Sequence, residues 1–582
     1  MTWGVYRRGG EMTIDYLDGT SPTDVETDLC IIGAGPAGIA MARAFIGTSV
    51  NVCVIESGGL AGEESNQALY EGSSIGSPAF DPGISRLRAF GGSCNLWGGG
   101  CIPLSSSDLG PRDWVPHSGW PLSYTELEPY YARAQAFCRI ESHDFVGGSF
   151  LTPPTRPPVP FDASKLVNQI FVRSPILFGA AYRSELEQAP NITVLLHANL
   201  LELETSLSGA SVRQARIGSL GGRQGMVRAR HYVLACGGIE NARLLLLSDS
   251  VVRHGLGNDH DLVGRFFMDH PTGKLGTLFT DAPDRLTRPY DRTGGQGSAP
   301  SFPEIGLSEE ALRAYRLLNG RVRPVAVEAP LPKGIRALRE LRAALHPPRQ
   351  DESSVLEERL CAALKSGERV NPDDAAGAPV GIVRLALRLG LGVGDVARAY
   401  MRKLADQPAV KSDHVDLIGY FEQAPNPDSR VMLGTERDAL GQRKVCVDWR
   451  LTALDRHTYR TAAAMFGAEL ARVCSGRFQL EPWLGGDDSA VPQVRGTAHH
   501  LGTTRMSDDP RQGVVDSRCR VHGIDNLHVV GSSVFPTGGW AFPTFTIVAL
   551  SLRLAEHLQN RMTSHAASAD PDAPISYADA VA

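Results

Sequence analysis

Asp28-Leu29-Cys30-Ile31-Ile32-Gly33-Ala34-Gly35-Pro36-Ala37-Gly38 opens a unit that ends at Val50-Asn51-Val52-Cys53-Val54-Ile55-Glu56. The first five residues read as a short buried strand. Residues 39–45 are small and apolar and read as a helix. Residues 50–55 read as a second strand, closed by an acid. This is a β-α-β unit with a G-x-G-x-x-G turn. The turn alone is weak evidence. With 62 glycines in 582 residues, roughly 0.7 chance matches are expected. The context decides. Gly33 permits the tight turn, Gly35 lets the backbone approach a pyrophosphate, and Gly38 lets helix and sheet close up. The helix N-terminus offers unpaired N–H groups to phosphate. Glu56 is placed to accept hydrogen bonds from a ribose. A dinucleotide site is expected. The turn does not separate FAD from NAD, and the acid argues only against NADP.

The rest of the composition is that of an ordinary globular chain, with 42% apolar and 21% charged residues. The net charge of −6 gives no global basic excess for nucleic acid. The ten cysteines show no C-x-x-C pair and no zinc spacing, so no metal site is expected. Scattered thiols and no apolar signal segment lead to an expected cytoplasmic location. No run approaches the length of a membrane span. Residues 331–406 carry Leu338, Leu341 and Leu345 at helical spacing, then a basic segment with Arg384, Arg388, Arg398 and Arg402. These read as a helical insertion with a solvated basic face, and membrane contact is not expected. Residues 124–137 read as a helix capped by Ser123, residues 192–204 and 227–235 as strands, and residues 415–450 as strand-like. Residues 563–582 read as a flexible tail.

Five stretches carry a resemblance. They are the glycine turn with Glu56; Phe90-Gly91-Gly92-Ser93-Cys94-Asn95-Leu96-Trp97-Gly98-Gly99; Leu234-Ala235-Cys236-Gly237-Gly238-Ile239-Glu240-Asn241-Ala242-Arg243; Val263-Gly264-Arg265-Phe266-Phe267-Met268-Asp269-His270; and His499-His500-Leu501-Gly502-Thr503-Thr504-Arg505-Met506 with Gly531-Ser532-Ser533-Val534-Phe535-Pro536-Thr537. In this set and order the chain resembles the glucose–methanol–choline (GMC) oxidoreductases, and its Trp97 segment resembles their sugar-oxidising branch. The resemblance implies an α/β plus α+β fold. A Rossmann-like FAD domain would be built from residues 25–275 and 485–562. Residues 276–484 would form a substrate domain with an antiparallel sheet and the insertion. FAD would be held by Gly33, Gly35, Pro36, Ala37, Gly38, Glu56, Ser57 and Arg88. Gly91, Gly92, Ser93, Asn95, Trp97 and Gly98 would line the flavin and pyrophosphate. Leu200, Ala235, Gly237, Asn241, Gly531, Ser532, Pro543 and Thr544 would complete the site.

Two departures matter. Some sugar-oxidising relatives attach FAD through a His just before the Trp. Leu96 stands there, so FAD is expected to be non-covalent. Family members place a His or Asn at the position of Phe542, paired with the first catalytic His. Phe542 can neither take nor give a proton. The resemblance leaves His499 as the expected base, with His500 as second candidate. A neutral imidazole suits removal of a hydroxyl proton while hydride passes to flavin N5. Trp97 and Trp540 can stack on a sugar ring or simply pack in a core. Phe542 borders the same place. Glu422 and Gln423 are candidate hydroxyl binders, depending on strand direction. Asp269-His270 is implied to be structural. The expected function is FAD-dependent oxidation of a CH–OH group in a sugar, glycoside or sugar-like metabolite. The electron acceptor and oligomeric state are left open. The alternatives are a redox-neutral lyase-type relative and a non-catalytic flavoprotein scaffold.

Overall fold

The computed structural model describes residues 13–18, 23–78, 80–140, 159–287, 289–290, 301–345, 356, 359–362, 390, 392–404, 412–486 and 492–568. The expected β-α-β unit is present as strand Asp24–Ile32, helix Pro36–Ala44 and strand Val52–Ile55. Residues 29–32 are buried on both faces, which suits a continuous apolar run inside a parallel sheet. That sheet has eight strands. In spatial order they are Thr13–Asp15, Ile192–Leu196, Val52–Ile55, Asp24–Ile32, Gln224–Leu234, Val212–Gly218 and Asn199–Thr205. The eighth, Leu527–Val529, lies parallel to the end of Gln224–Leu234, with Tyr232 opposite Leu527. Five pairings are parallel, and the two beyond Gln224–Leu234 are antiparallel.

The single strand expected over 192–204 is two. His197 breaks it with a φ of 54°. Its ring sits between Asp15 Oδ1 at 2.7 Å and Glu63 Oε1 at 3.0 Å. These two contacts hold the break between the two strands.

Helix Tyr124–Phe137 starts where expected. Ser123 and Glu126 form a reciprocal capping box, satisfying two backbone donors that the first turn would leave unpaired. With helix Pro36–Ala44 it packs against the long C-terminal helix Pro543–Ser568. That helix passes the tail boundary expected at residue 563. Residues 569–582 lie outside the described residues.

The second sheet has seven antiparallel strands, ordered Arg477–Leu480, Thr272–Phe279, Ser412–Phe421, Gly320–Glu328, Ser301–Leu307, Leu166–Arg173 and Gly100–Cys101. It corrects the expected boundary at residue 276. Thr272–Phe279 straddles that point, and Leu166–Arg173 and Gly100–Cys101 come from the segment assigned to the first domain. Helix Ala453–Cys474 covers this sheet through Tyr459, Phe466 and Leu470. Within the expected insertion, helices Lys333–Leu345 and Val393–Leu404 contact one another. Residues 381–389 of the expected basic segment lie outside the described residues.

Candidate active site

A cavity of about 400 Å³ runs from the C-terminal ends of the parallel strands to the face of the antiparallel sheet. Gly33, at φ 103°, makes the turn out of the first strand, and a Cβ there would strike Ala235 O at 2.7 Å. Only glycine fits both constraints. At Gly38 a Cβ would fall 1.9 Å from Gly33 O. Gly38 therefore sets how closely helix and turn approach. Gly35 differs, since a Cβ there meets nothing within 4 Å, and the same holds at Gly98, Gly237 and Gly531. All four line the cavity. Their missing side chains leave open space where a ligand can touch backbone. The helix starting at Pro36 has no side-chain cap and no acid in its first turn, so nothing in the protein competes with a phosphate there.

This contrast gives a prediction. Gly38→Ala is expected to cost about 1–3 kcal/mol of stability through overpacking and to yield protein without flavin. Gly35→Ala should change stability by less than about 0.5 kcal/mol yet weaken flavin retention. Thermal melts and the 450 nm absorbance per protein test both. Equal losses in the two melts would contradict the assignment.

Glu56 is buried, and burial pushes its pKa up. Its Oε2 accepts from Ala34 N at 2.8 Å and its Oε1 from Gly58 N at 2.9 Å. These bonds hold the carboxylate at the cavity wall and leave lone pairs for a ribose. Deeper in, Glu240 takes Arg86, Arg88 and Arg243 at 3.2, 3.3 and 2.9 Å. Burial would raise its pKa, but the three guanidiniums, Arg243 first, pull it down to about 2. Arg88 lines the cavity, and its Nε is a buried donor without a partner among the described residues. An orphaned donor, an uncapped helix start and open-faced glycines fit an anionic dinucleotide.

At the other end of the cavity stands His499. Asp269 holds the turn that presents it. Its carboxylate accepts the backbone N–H of His270 at 2.6 Å, Thr497 at 3.1 Å, Ala498 at 3.2 Å and His499 at 3.0 Å. Ala498 sits in the left-handed region at φ 61°, so these bonds sustain a strained turn. Burial first, then His270, Arg321 and His500, hold the His499 pKa well below the usual histidine range. Its Nδ1 lies 2.8 Å from His270 Nδ1 and 2.9 Å from Thr497 Oγ1. Its Nε2 has no hydrogen-bond partner among the described residues. Phe542 stands edge-on to the ring at 5.5 Å. His500 points elsewhere, between Phe80 at 5.2 Å and Phe267 at 5.8 Å. Its Nε2 is buried and has no partner among the described residues, and burial lowers its pKa to about 3.

The cavity gathers most of the expected residues. Gly33, Gly35, Pro36, Ala37, Glu56, Ser57, Arg88, Gly92, Ser93, Trp97 and Gly98 line it, with Leu200, Ala235, Gly237, Gly531, Ser532, Pro543 and Thr544. His499, His500 and Phe542 line it too. Gly38, Gly91, Asn95 and Asn241 stand behind the wall. Asn95 donates to Phe90 O at 3.0 Å, and Asn241 donates to Ser533 Oγ at 2.9 Å.

Three expected substrate contacts are corrected. Glu422 is fully buried and grips Arg112 through both oxygens at 2.7 and 2.6 Å. Gln423 accepts from Trp449 Nε1 at 2.8 Å and from Asp269 N at 3.0 Å. Trp540 packs edge-on to Phe171 at 5.0 Å and gives its carbonyl to Arg321. None of the three lines the cavity. Their strand and turn put them on the core side. Trp97 does line it, with its Nε1 donating to Ile176 O at 3.2 Å and its ring against Phe178.

Sequence reasoning missed His270 as a site residue, and it missed Arg173. Arg173 lines the cavity near Phe302 and Phe542 and has no acid partner among the described residues. Its signal, a cation ending an apolar strand, was too common to single out.

Residues 425–551 match the family model described as GMC oxidoreductase. This part of the chain is similar to the GMC oxidoreductases. The 6'''-hydroxyparomomycin C oxidase of Streptomyces lividus is 24% identical, covering 94% of this chain and 95% of that one. Paromamine 6'-oxidase of Streptomyces fradiae is 23% identical over 94% of each. The fructose dehydrogenase large subunit of Gluconobacter japonicus is 26% identical over 57% of this chain and 48% of its own. Among solved structures, formate oxidase superposes with a TM-score of 0.54 at 16% identity, covering 94% of this chain and 100% of its own. Pyridoxine 4-oxidase from Mesorbium loti gives 0.53 at 18% identity, covering 92% and 99%. These likenesses show the fold. Among the described residues no helix is long and apolar enough to cross a membrane, and no cluster of metal-ligating side chains occurs.

Proposed function

We propose that this protein is an FAD-dependent GMC-type oxidoreductase that oxidises a CH–OH group of a sugar, glycoside or sugar-like metabolite, with His499 as the base. The observation that carries the reading is an imidazole at the cavity wall whose Nδ1 is occupied by protein while its Nε2 has no partner among the described residues. FAD, when bound, supplies the hydride acceptor. His499 Nε2 takes the proton of the substrate hydroxyl, so that the carbinol carbon releases its hydride as the carbonyl forms. Phe542 and Trp97 offer apolar faces to sugar C–H bonds, and Arg173 offers donors to sugar oxygens. The N-terminus of the helix at Pro543 presents N–H groups to the cavity, where they stabilise negative charge. The names of the aminoglycoside and fructose relatives support the substrate class.

FAD is held without a covalent bond in this reading, because Leu96 lines the wall where some relatives carry the linking His. Acid precipitation should release the flavin into the supernatant. Turnover is tested by an anaerobic titration of the holoenzyme with sugars and glycosides, followed at 450 nm. Bleaching by one class establishes the reaction and the class. A product formed without bleaching would favour the redox-neutral alternative instead.

The pH profile is a further test. An imidazolium cannot accept the hydroxyl proton. Burial disfavours that charged form, so protonation needs a pH further below the ordinary ~6.5. kcat/KM is expected to stay flat through pH 6.5 and fall only in more acid solution. An acid limb at or above that value would remove His499 as the base.

A further inference from the structure

The partner that Phe542 cannot be is present from another part of the chain. His270 lies 229 residues before His499, at the head of the strand Thr272–Phe279. Its ring stands at 80° to that of His499, with centroids 5.0 Å apart. Its two nitrogens have different neighbours. Nε2 lies 2.9 Å from Gly539 O, and Nδ1 lies 2.8 Å from His499 Nδ1. A carbonyl oxygen only accepts, so Nε2 must carry the hydrogen. Neutral His270 then has a bare Nδ1, which can only accept. The hydrogen between the two rings therefore belongs to His499 Nδ1. That leaves His499 Nε2 as a lone pair.

The reverse arrangement fails. A hydrogen on His270 Nδ1 with none on Nε2 would set two lone pairs against each other at Gly539. A doubly protonated His270 would place a cation in a site 2% exposed, and burial, with Arg321 nearby, lowers its pKa to about 4. Thr497 agrees. Its hydroxyl lies 3.1 Å from both Asp269 Oδ1 and His270 O, to either of which it can donate. Its oxygen stays free to share the His499 N–H.

We propose that His270 is the positioning residue of this enzyme: by accepting the Nδ1–H of His499 it fixes the tautomer and aim of the base, taking the place left by Phe542. The inference rests on the reading of His499 as base. When His499 Nε2 takes the substrate proton, the new imidazolium keeps its Nδ1–H on His270. No proton leaves the pair, and His270 stays neutral. Loss of the acceptor is expected to lower activity by about 10–100-fold, the range found when the outer hydrogen-bond partner of a metal-bound histidine is removed.

The test uses holoenzyme with 15N-labelled histidine. The signals lost in His499→Asn are those of residue 499. Wild type should show Nδ1 protonated and Nε2 bare, whereas His270→Phe should move proton population to Nε2. With the sugar that bleaches the flavin fastest, His270→Phe should lower kcat by about 10–100-fold with KM within about threefold. His270→Asn, whose Oδ1 can accept the same hydrogen, should recover most of the loss. A wild-type proton on Nε2 overturns the proposal, and so do equal kcat losses in Phe and Asn. Should His270→Phe fail to fold, the wild-type spectrum and the Asn variant decide. Failure of the base reading looks different, because His499→Asn would then turn over normally whatever the spectra show.

Discussion

Replacing His499 with alanine is expected to lower kcat by about 10²–10⁴-fold while FAD stays bound. The magnitude is that of removing a positioned general base, about 3–5 kcal/mol on the barrier. The geometry makes the loss specific. Thr497 and His270 remain, but they meet Nδ1, not the substrate side. His500 cannot substitute, because its ring is clamped between Phe80 and Phe267. Flavin content should hold, since the glycine turn, Glu56 and the Arg88 cluster lie at the far end of the cavity. The comparison with His500→Phe sharpens the result, as that variant should keep kcat within about tenfold. Turnover of His499→Ala within threefold of wild type would end the assignment.

The second large effect concerns stability. Glu422→Ala is expected to destabilise the fold by about 3–5 kcal/mol, because it leaves the Arg112 guanidinium buried without its counter-charge. Arg112 is 8% exposed and Glu422 not at all. The carboxylate also accepts Asn319 N at 3.0 Å and Gly539 N at 3.2 Å. It therefore joins the segment before residue 112, the second sheet and the 538–540 turn. That turn carries the carbonyl on which His270 rests, so kcat should fall as well. Glu422→Gln keeps the acceptors but not the charge and should lose less. Urea unfolding of holoenzyme measures both. A midpoint for Glu422→Ala equal to wild type would show that the pair contributes nothing net.

The legible parts of this protein were those whose chemistry is local. A strand, three glycines, a helix and an acid within thirty residues leave few other arrangements, because Gly33 and Gly38 are each required by a backbone contact. Ser123 and Glu126 marked a helix start for the same reason. The substrate sheet was harder. Leu166–Arg173 pairs with Ser301–Leu307 across more than a hundred residues, and alternation names a strand without naming its neighbour. Glu422 misled because it lies just beyond its strand, where alternation no longer assigns a face, and only the position of Arg112, 310 residues away, shows what it serves. His270 was passed over because its meaning depends on a ring 229 residues distant. The motif at 499–506 carries the proposed base, whereas the stretch at 263–270 that holds its partner was read as structural.

The return of Leu527–Val529 to the first sheet, and of helix Pro543–Ser568 to helix Pro36–Ala44, sets a timetable for biosynthesis. The ribosome makes the glycine turn early and its cover last. At about 5–20 residues per second, the interval between Ile55 and Ser568 is roughly 25–100 s. Through that time Ala37, Ala40 and Met41, fully covered in the finished protein or nearly so, have no C-terminal helix to lie against. A nascent chain can begin its first sheet but cannot complete the cofactor cavity, whose wall at Gly531, Ser532, Pro543 and Thr544 has yet to be synthesised. The cavity therefore takes its final form only after its last wall segments have left the ribosome.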